Sequence, residues 1–452
     1  MIDYCGLYKD FQNEDDLIQT TRENYSAFLS KFKRGYAYRI FRKLTHMSDR
    51  ATGDFFPVIE FIGVWDTVDA YGLPIDELAT LWDCLIYPIR FPDRDLSTLV
   101  KRACHVLSVD DERLTFHPLL WNEANATGDN EKGEAEPEAN TEKEKRPEID
   151  QVWFPGVHSD VGGGYAESEL AFLSLDWIMG KVKAGPKNPH GLHFIKGAHD
   201  EVKAQSNWHG KPHNSRSGLA ALYRYKIRNI ESLCNDPQGL VTIEKPKIHR
   251  SVFEQIRSGL NGYTPFGIPK EYTVIDTHDA APVFESAKER TRRHTAMNAA
   301  LDIIFWRRWL YFALLCATAL LVASRFFLSH EKQGVCDGTA CLFDPLLSAV
   351  QSFLPDVATG WIEALRQNSF WLWGFLILFC VLFMLKARMF TATQRRAGTA
   401  WSALIRDTTP PKYKPSLTFH IRSGAHFKLR TTIKWVLFGI LFFLIAGLII
   451  TK

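Results

Sequence analysis

The chain divides into two parts by the distribution of its apolar residues. Residues 1–300 have the mixed apolar and polar pattern of a soluble domain, whereas the remainder carries three long apolar runs, at 309–328, 367–385 and 435–451. Only Arg325, near the end of the first run, interrupts them with a charge. A helix needs about 17–25 mostly apolar residues to cross a bilayer, and a soluble core helix usually keeps a polar stripe. The pattern therefore predicts three transmembrane helices.

Basic residues are distributed unequally around these runs. The segment 386–434 holds eleven lysines and arginines, and 276–308 ends in a similar basic cluster, whereas 329–366 holds two basic and five acidic residues. The positive-inside rule then places residues 1–308 and 386–434 in the cytoplasm. We expect a multi-pass protein of the bacterial inner membrane whose C-terminus is periplasmic. Cys336 and Cys341 fall in the external loop, where a disulfide and a pair of free thiols are equally compatible with the sequence.

The soluble part predicts a parallel α/β sheet. Residues 56–64 and 152–157 are short apolar runs rich in β-formers, which indicates buried strands. Residues 73–87 and 96–109 have helix-like periodicity, and a further helix is predicted at 169–182. Strands that alternate with helices are typical of a parallel sheet.

Composition narrows the function classes. A net charge of +3, from 54 basic and 51 acidic residues, argues against a nucleic-acid partner. Eight scattered cysteines form neither a disulfide scaffold nor a zinc motif, and the sequence predicts no cofactor and no metal. Residues 122–150 contain ten acidic and four basic side chains with almost no large apolar residue, so we expect a mobile surface insertion.

Two segments carry candidate chemistry. Asp66 follows one predicted strand in FIGVWDTVDAYGLP, and His158 follows another in WFPGVHSDVGGGY. Reactive residues of an open α/β sheet gather at the carboxyl ends of its strands, and this order matches the last two members of a Ser–Asp–His triad. Asp160 is expected to stabilise the loop that carries His158 by hydrogen-bonding within it. Gly162 and Gly163 are expected to orient this loop.

Other interpretations remain open for these residues. Aspartate after a strand is often a turn residue or a helix N-cap, and a histidine before a glycine run is often structural. A metal site built from Asp66, Asp69, His158 and Asp160 is also compatible with the sequence, although His-x-Asp is not a specific ligand spacing.

Five segments in order give the sequence a family resemblance. They are FIGVWDTVDAYGLP, HVLSVDDERLTFHPLLW, WFPGVHSDVGGGY, HNSRSGLAALYRYKIR, and KIHRSVFEQI followed by GYTPFGIPKEY. Together they resemble the bacterial α/β-hydrolase domain family that includes type VI secretion phospholipase effectors, over about residues 1–275. The resemblance implies lipid ester hydrolysis through an acyl-enzyme, with Asp66 and His158 as the family's aspartate and histidine.

One element of that family is missing from the sequence. The family's nucleophilic serine lies in a Gly-x-Ser-x-Gly elbow, and no Gly-x-Ser-x-Gly occurs here. MIDYCGLYKD resembles the stretch that follows the elbow helix, so we expect the serine to lie upstream of Met1 or on a separate fragment. Without a hydroxyl to activate, the Asp–His pair alone is expected to be inactive.

The sequence thus predicts a partial α/β-hydrolase-like domain followed by a membrane anchor. The expected segments are the hydrolase portion 1–275, a basic juxtamembrane segment 276–308, a first helix 309–328, an external loop 329–366, a second helix 367–385, a basic cytoplasmic loop 386–434 and a third helix 435–451. The expected function is that of a membrane-anchored serine esterase or lipase whose partners are membrane lipids and an upstream fragment carrying the nucleophile elbow. The alternative is a catalytically dead, membrane-tethered interaction module.

Overall fold

A computed structural model of the chain describes residues 13–32, 56–68, 96–123, 147–183, 190–217, 220, 223, 225–235, 240–275, 284–328, 336, 338–353 and 359–419. The chain forms two compact units. Unit one comprises residues 1–294 with 401–409, and unit two comprises 295–400 with 410–452.

Within the residues that the structure describes, the core of unit one is a parallel five-stranded sheet. Its strands are β1 (Ile62–Trp65), β2 (Arg102–Ser108), β3 (Glu148–Phe154), β4 (Lys247–His249) and β5 (Thr273–Ile275). They lie side by side in chain order, and each neighbouring pair is parallel. The prediction of a parallel α/β sheet is therefore confirmed.

The described helices of unit one are α1 (Glu14–Phe32), α2 (His158–Gly162), α3 (Glu169–Val182), α4 (Ala198–Gln205), α5 (Ile230–Cys234) and α6 (Arg250–Ser258), with 3-10 turns at Leu114–Phe116 and Leu260–Gly262. Helices α2 and α3 contact β2, and α6 contacts β4. Trp177 and Ile178 of α3 pack on Val106, Val152 and Phe154 of the central strands. Helix α3 has the bounds expected from the sequence, because its apolar positions repeat at helical spacing.

The central strand β2 was missed by the sequence analysis. Residues 96–109 have helix-like periodicity, yet 102–108 form a strand buried along nearly its whole length. A strand covered on both faces lacks the alternation of apolar and polar positions that marks a strand with one exposed face, so its pattern does not distinguish it from a buried helix. The predicted helix at 73–87 lies outside the described residues.

Three other boundaries differ from expectation. The strand predicted at 56–64 is β1, which begins only at Ile62 and ends at Trp65. The strand predicted at 152–157 is β3, which starts earlier and ends at Phe154, because Pro155 and Gly156 stop it. The acidic insertion predicted at 122–150 is therefore too long, since β3 begins at Glu148. Residues 124–146 lie outside the described part.

The described part of unit two is helical. Helix α7 (Ala287–Phe327) enters it from unit one, followed by a 3-10 segment (Gly338–Phe343), α8 (Asp344–Phe353), α9 (Thr359–Arg366) and α10 (Ser369–Ala400). Among the described residues, α7 and α10 are long and apolar enough to cross a membrane, and only 12% and 17% of their apolar windows are buried. The third predicted span, 435–451, lies outside the described residues.

The segment between α7 and α10 contains a disulfide. Cys336 and Cys341, for which the sequence left two states open, are joined. A short helix, α11 (Ser402–Arg406), follows α10 and belongs to unit one.

Candidate active site

Asp66 and His158 meet at the carboxyl edge of the sheet. Asp66 immediately follows β1, and His158 opens α2 four residues after β3. His158 Nδ1 lies 2.8 Å from Asp66 Oδ2. Because the Asp66 carboxylate only accepts hydrogen bonds, Nδ1 carries the proton, and in the neutral ring Nε2 keeps a free lone pair. This is the arrangement that a general base requires.

The backbone and a neighbouring strand fix Asp66. Its φ is +42°, a left-handed conformation that aspartate tolerates better than most residues. Its amide donates to Val106 O at 2.7 Å. The last residue of β2, Ser108, donates to Asp66 Oδ1 from its amide at 2.9 Å and to Oδ2 from its hydroxyl at 3.2 Å. The strand between β1 and β3 thus holds the carboxylate in place.

Arg228, which the sequence analysis did not single out, completes the surroundings of Asp66. Its Nη1 lies 2.6 Å from Asp66 Oδ1 and its Nη2 lies 2.8 Å from Asp66 Oδ2, a bidentate pair. The guanidinium also donates to Ser108 O and Phe116 O, and it is almost completely buried. Burial raises the pKa of Asp66, but Arg228 and His158 lower it more, so the pKa lies well below its usual range. Asp66 is therefore held as a carboxylate.

Three aspartates hold the loop that carries His158. Each accepts a hydrogen bond from one of three consecutive amides: Asp110 from Gly156 at 2.7 Å, Asp160 from Val157 at 2.9 Å and Asp111 from His158 at 3.2 Å. The Asp110-Asp111 pair follows β2 directly, so the same strand that holds Asp66 also positions His158. Because two loops share one support, the distance between the imidazole and the carboxylate is fixed.

Asp110 is a buried carboxyl with a tyrosine partner. Tyr263 Oη donates to Asp110 Oδ2 at 2.7 Å. Burial raises the pKa of Asp110 to about 7, although the hydrogen bonds from Tyr263 and the Gly156 amide lower it, and Asp160 and Glu112 raise it.

Asp160 braces the loop as the sequence suggested, and it also contacts a second histidine. Its Oδ1 lies 2.5 Å from His213 Nδ1, and the His213 ring stacks on Tyr165. Gly156 is required here, because its φ is +103° and a Cβ would lie 2.6 Å from the Cβ of Asp160. Gly162 ends α2, and Gly163 follows at φ +87°, a conformation that L side chains rarely adopt.

Other histidines nearby serve as structural groups. His105 is fully buried, and its Nε2 accepts the amide proton of Thr67 at 3.1 Å. Burial lowers the pKa of His105 to about 4 and that of His117 to about 3, so both are neutral near pH 7.

The described residues offer neither a metal-ligand cluster nor a nucleophile at this site. No group of three or more His, Cys, Asp or Glu in the described part could hold a metal ion, and Asp69 lies outside it. Nor does any described residue hydrogen-bond to His158 Nε2. The ring is packed edge-on against Phe116 and is about 30% exposed. Its free nitrogen is available for an incoming hydroxyl.

The fold and the site together are a parallel α/β sheet with a hydrogen-bonded Asp–His pair at its carboxyl edge. Residues 1–181, which include both members of the pair, match the family model described as T6SS, Phospholipase effector Tle1-like, catalytic domain. This match confirms the family resemblance over residues 1–181, whereas the part of the predicted resemblance from 182 to 275 lies outside the match.

A curated relative matches a shorter stretch. Over 63 residues, the chain is 40% identical to Uncharacterized protein YEL023C of Saccharomyces cerevisiae; the match covers 12% of this chain and 9% of the yeast protein. No solved structure matches the chain.

Replacing Arg228 with methionine should destabilise unit one in a pH-dependent way. In the wild type, the lowered pKa of Asp66 stabilises the fold above its unfolded pKa of about 3.9, and this stability is lost only in strong acid. Without Arg228, burial raises the Asp66 pKa, so ionisation opposes folding as pH rises from about 4 to 6. We expect a loss of about 3–5 kcal/mol at pH 6 and a smaller loss at pH 4.

Unfolding curves of the full chain in detergent at pH 4, 5 and 6 measure this. Arg250→Met is the matched control, since Arg250 makes a partly exposed pair with Glu254 worth at most about 1 kcal/mol. The role of Arg228 would be contradicted if both variants lost the same free energy of unfolding. It would also be contradicted if the difference between their losses became smaller as pH rises.

Replacing Tyr263 with phenylalanine removes the hydroxyl donor to Asp110. A hydrogen bond to a charged carboxylate is worth about 1.5–3 kcal/mol, more than one to a neutral acid. We therefore expect a larger loss of stability at pH 8, where Asp110 is ionised, than at pH 5, where it is protonated. Tyr165→Phe is the control, since the contact of Tyr165 is ring stacking on His213. A loss independent of pH would show that Asp110 does not ionise in this range.

Proposed function

We propose that this protein is a membrane-anchored esterase or lipase-like hydrolase acting on phospholipids or other acyl esters. The observation that carries the proposal is the 2.8 Å bond from His158 Nδ1 to Asp66 Oδ2 inside the segment that matches the phospholipase-effector family. In this function His158 is the general base and then the general acid, and Asp66 is its orienting carboxylate.

The reaction needs a hydroxyl that this sequence does not supply in the family's motif. A serine from an upstream segment or a separate fragment would place its Oγ near His158 Nε2. Nε2 takes the hydroxyl proton as Oγ attacks the ester carbonyl, and the tetrahedral intermediate collapses as Nε2 protonates the departing alcohol. Water, deprotonated by the same nitrogen, then releases the fatty acid and regenerates the serine.

Several features of the chain support the membrane anchor. α7 and α10 are long, apolar and largely uncovered. Arg293, near the start of α7, and Trp401, directly after α10, both belong to unit one. The Arg293 guanidinium lies 4.3 Å from the centre of the Trp401 ring, and Trp401 Nε1 donates to Pro265 O. A helical hairpin whose two ends reach one domain keeps both ends on one side of a bilayer. The disulfide in the connecting loop fits an oxidising compartment on the opposite side.

A second candidate function is a catalytically inactive, membrane-tethered interaction module. The observation that favours it is the lack of any Gly-x-Ser-x-Gly in the sequence. In that case, the Asp–His pair would be a structural remnant, and the partner would be the fragment that would otherwise supply the elbow.

The activity test compares the chain alone with the chain plus the polypeptide encoded directly upstream in its genome. We expect phospholipid hydrolysis only in the combination, with His158→Ala reducing the rate at least about a hundredfold. His199→Ala is the matched control, because His199 pairs with Asp176 at 2.9 Å elsewhere in the same unit and should leave the rate unchanged.

Activity that survives His158→Ala would refute the assignment of the base. A combination that binds but hydrolyses neither phospholipids nor p-nitrophenyl esters would favour the interaction module.

The proposed topology predicts where the loop cysteines can be labelled. In intact spheroplasts, a membrane-impermeant reductant followed by an impermeant maleimide should label Cys336 and Cys341, which are otherwise joined. The double variant Cys336→Ser/Cys341→Ser gives the background level of maleimide labelling. Labelling that requires permeabilised membranes would place the loop in the cytoplasm and contradict the orientation.

A further inference from the structure

We propose that α8 is an interfacial helix that lies in the headgroup region of the bilayer and inserts an apolar stripe towards the acyl chains. The stripe consists of Leu342, Leu346, Val350 and Phe353. The proposal rests on the membrane spans proposed above but not on any catalytic activity.

The stripe is an exposed apolar surface with helical spacing. Leu346, Val350 and Phe353 are four and three residues apart, which places them on one side of α8, and Leu342 precedes them in the 3-10 segment. Leu342 is 74% exposed, Leu346 58%, Val350 39% and Phe353 89%. The other side carries Ser348, Gln351 and Ser352. A helix of this kind, apolar on one flank and polar on the other, is typical of a membrane surface.

A third side of α8 is packed and fixed. Leu347, with Phe343 before it, belongs to a small core with Ile362 of α9 and Leu372 and Leu376 of α10. Asp344 at the start of α8 pairs with Arg366 Nε at 2.7 Å, and Arg366 also donates to Glu363 and Ser348. The stripe is therefore presented by a braced helix and is not what holds the helix to its neighbours.

The packing places α8 beside the first turns of α10. Phe343 contacts Trp373 edge-on at 5.0 Å between ring centres, and Trp373 Nε1 donates to Thr339 Oγ1 at 2.9 Å. At about 1.5 Å per residue, Leu372 and Leu376 lie about 4–10 Å along α10 from its start at Ser369. An interfacial helix buries its apolar face to a similar depth, about 5–10 Å.

Continuity with the span identifies lipid as the occupant. Phe370 is 82% exposed and Ile377 is 59% exposed, so the uncovered apolar surface of α10 begins where α8 is attached. Tryptophan is enriched at this level of a bilayer, and Trp371 and Trp373 are here. Between residues 338 and 353, Asp344 is the one charged residue, and it is already paired. A water-facing loop would leave the stripe in contact with solvent at a cost that lipid removes.

The test places a fluorescent unnatural amino acid at single positions of the full chain in phosphatidylcholine nanodiscs. Positions 346 and 350 sample the stripe, whereas 352, on the same helix, is the matched control. Quenching by bromine-labelled phosphatidylcholine reports contact with acyl chains, and quenching by iodide reports contact with water. Retention of the Cys336–Cys341 disulfide, checked by alkylation and mass spectrometry, confirms that each variant has folded.

We expect bromolipid to quench the probes at 346 and 350 at least about threefold more than the probe at 352, with the reverse order for iodide, as burial of one helix flank in lipid requires. Equal iodide quenching at all three positions would show that α8 lies in water and would overturn the proposal. Protection from iodide at 346 and 350 without bromolipid quenching would also overturn it, because the stripe would then be covered by protein, such as a second copy.

Discussion

The candidate site depends on how a buried negative charge is kept ionised. Asp66 is completely covered, and a lone carboxylate in such a place would take up a proton. Arg228 prevents this by covering both carboxylate oxygens, while His158 shares one of them. Arg228 stabilises the negative charge of Asp66 through hydrogen bonds to both carboxylate oxygens. The carboxylate therefore remains ionised and can orient the His158 imidazole through Oδ2.

The β2 strand of unit one brings together the groups that hydrogen-bond to Asp66 and to the loop that carries His158. β2 ends between β1 and β3, and the residues at and after its end contact both halves of the site. Ser108 binds the carboxylate, and Asp110 and Asp111 bind the amides of the histidine loop. A shift of β2 would thus move Asp66 and His158 together and leave their separation unchanged.

The sequence alone was enough to identify the pair but not its supports. Asp66 and His158 could be predicted because each follows an apolar strand, and parallel strands end at one edge of a sheet. β2 was hidden because a strand buried on both faces lacks alternation. Arg228 was hidden because its role depends on a contact with Asp66, which is 162 residues away in the chain. The Asp110-Asp111-Glu112-Arg113 cluster was visible, but its hydrogen bonds to a loop 46 or 47 residues away were not.

Unit two shows the same division. Length and apolar composition predicted the apolar parts of α7 and α10, whereas the amphipathic α8 between them was interpreted only as part of a loop. Its packing on Leu372 and Leu376 depends on the fold of that loop, which the disulfide and the Arg366 ion pairs close. That fold could not be predicted because it depends on contacts between segments that are separated in the chain.

The most direct test of the account is the proton between Asp66 and His158. Proton NMR of the full chain should show a downfield imidazole N–H resonance that is absent in His158→Gln. It should also be lost in Asp66→Asn, whose amide NH2 can face Nδ1, and be retained in Asp160→Asn. A spectrum that Asp66→Asn leaves unchanged would show that the carboxylate and the imidazole are not bonded, and the site would then have no general base.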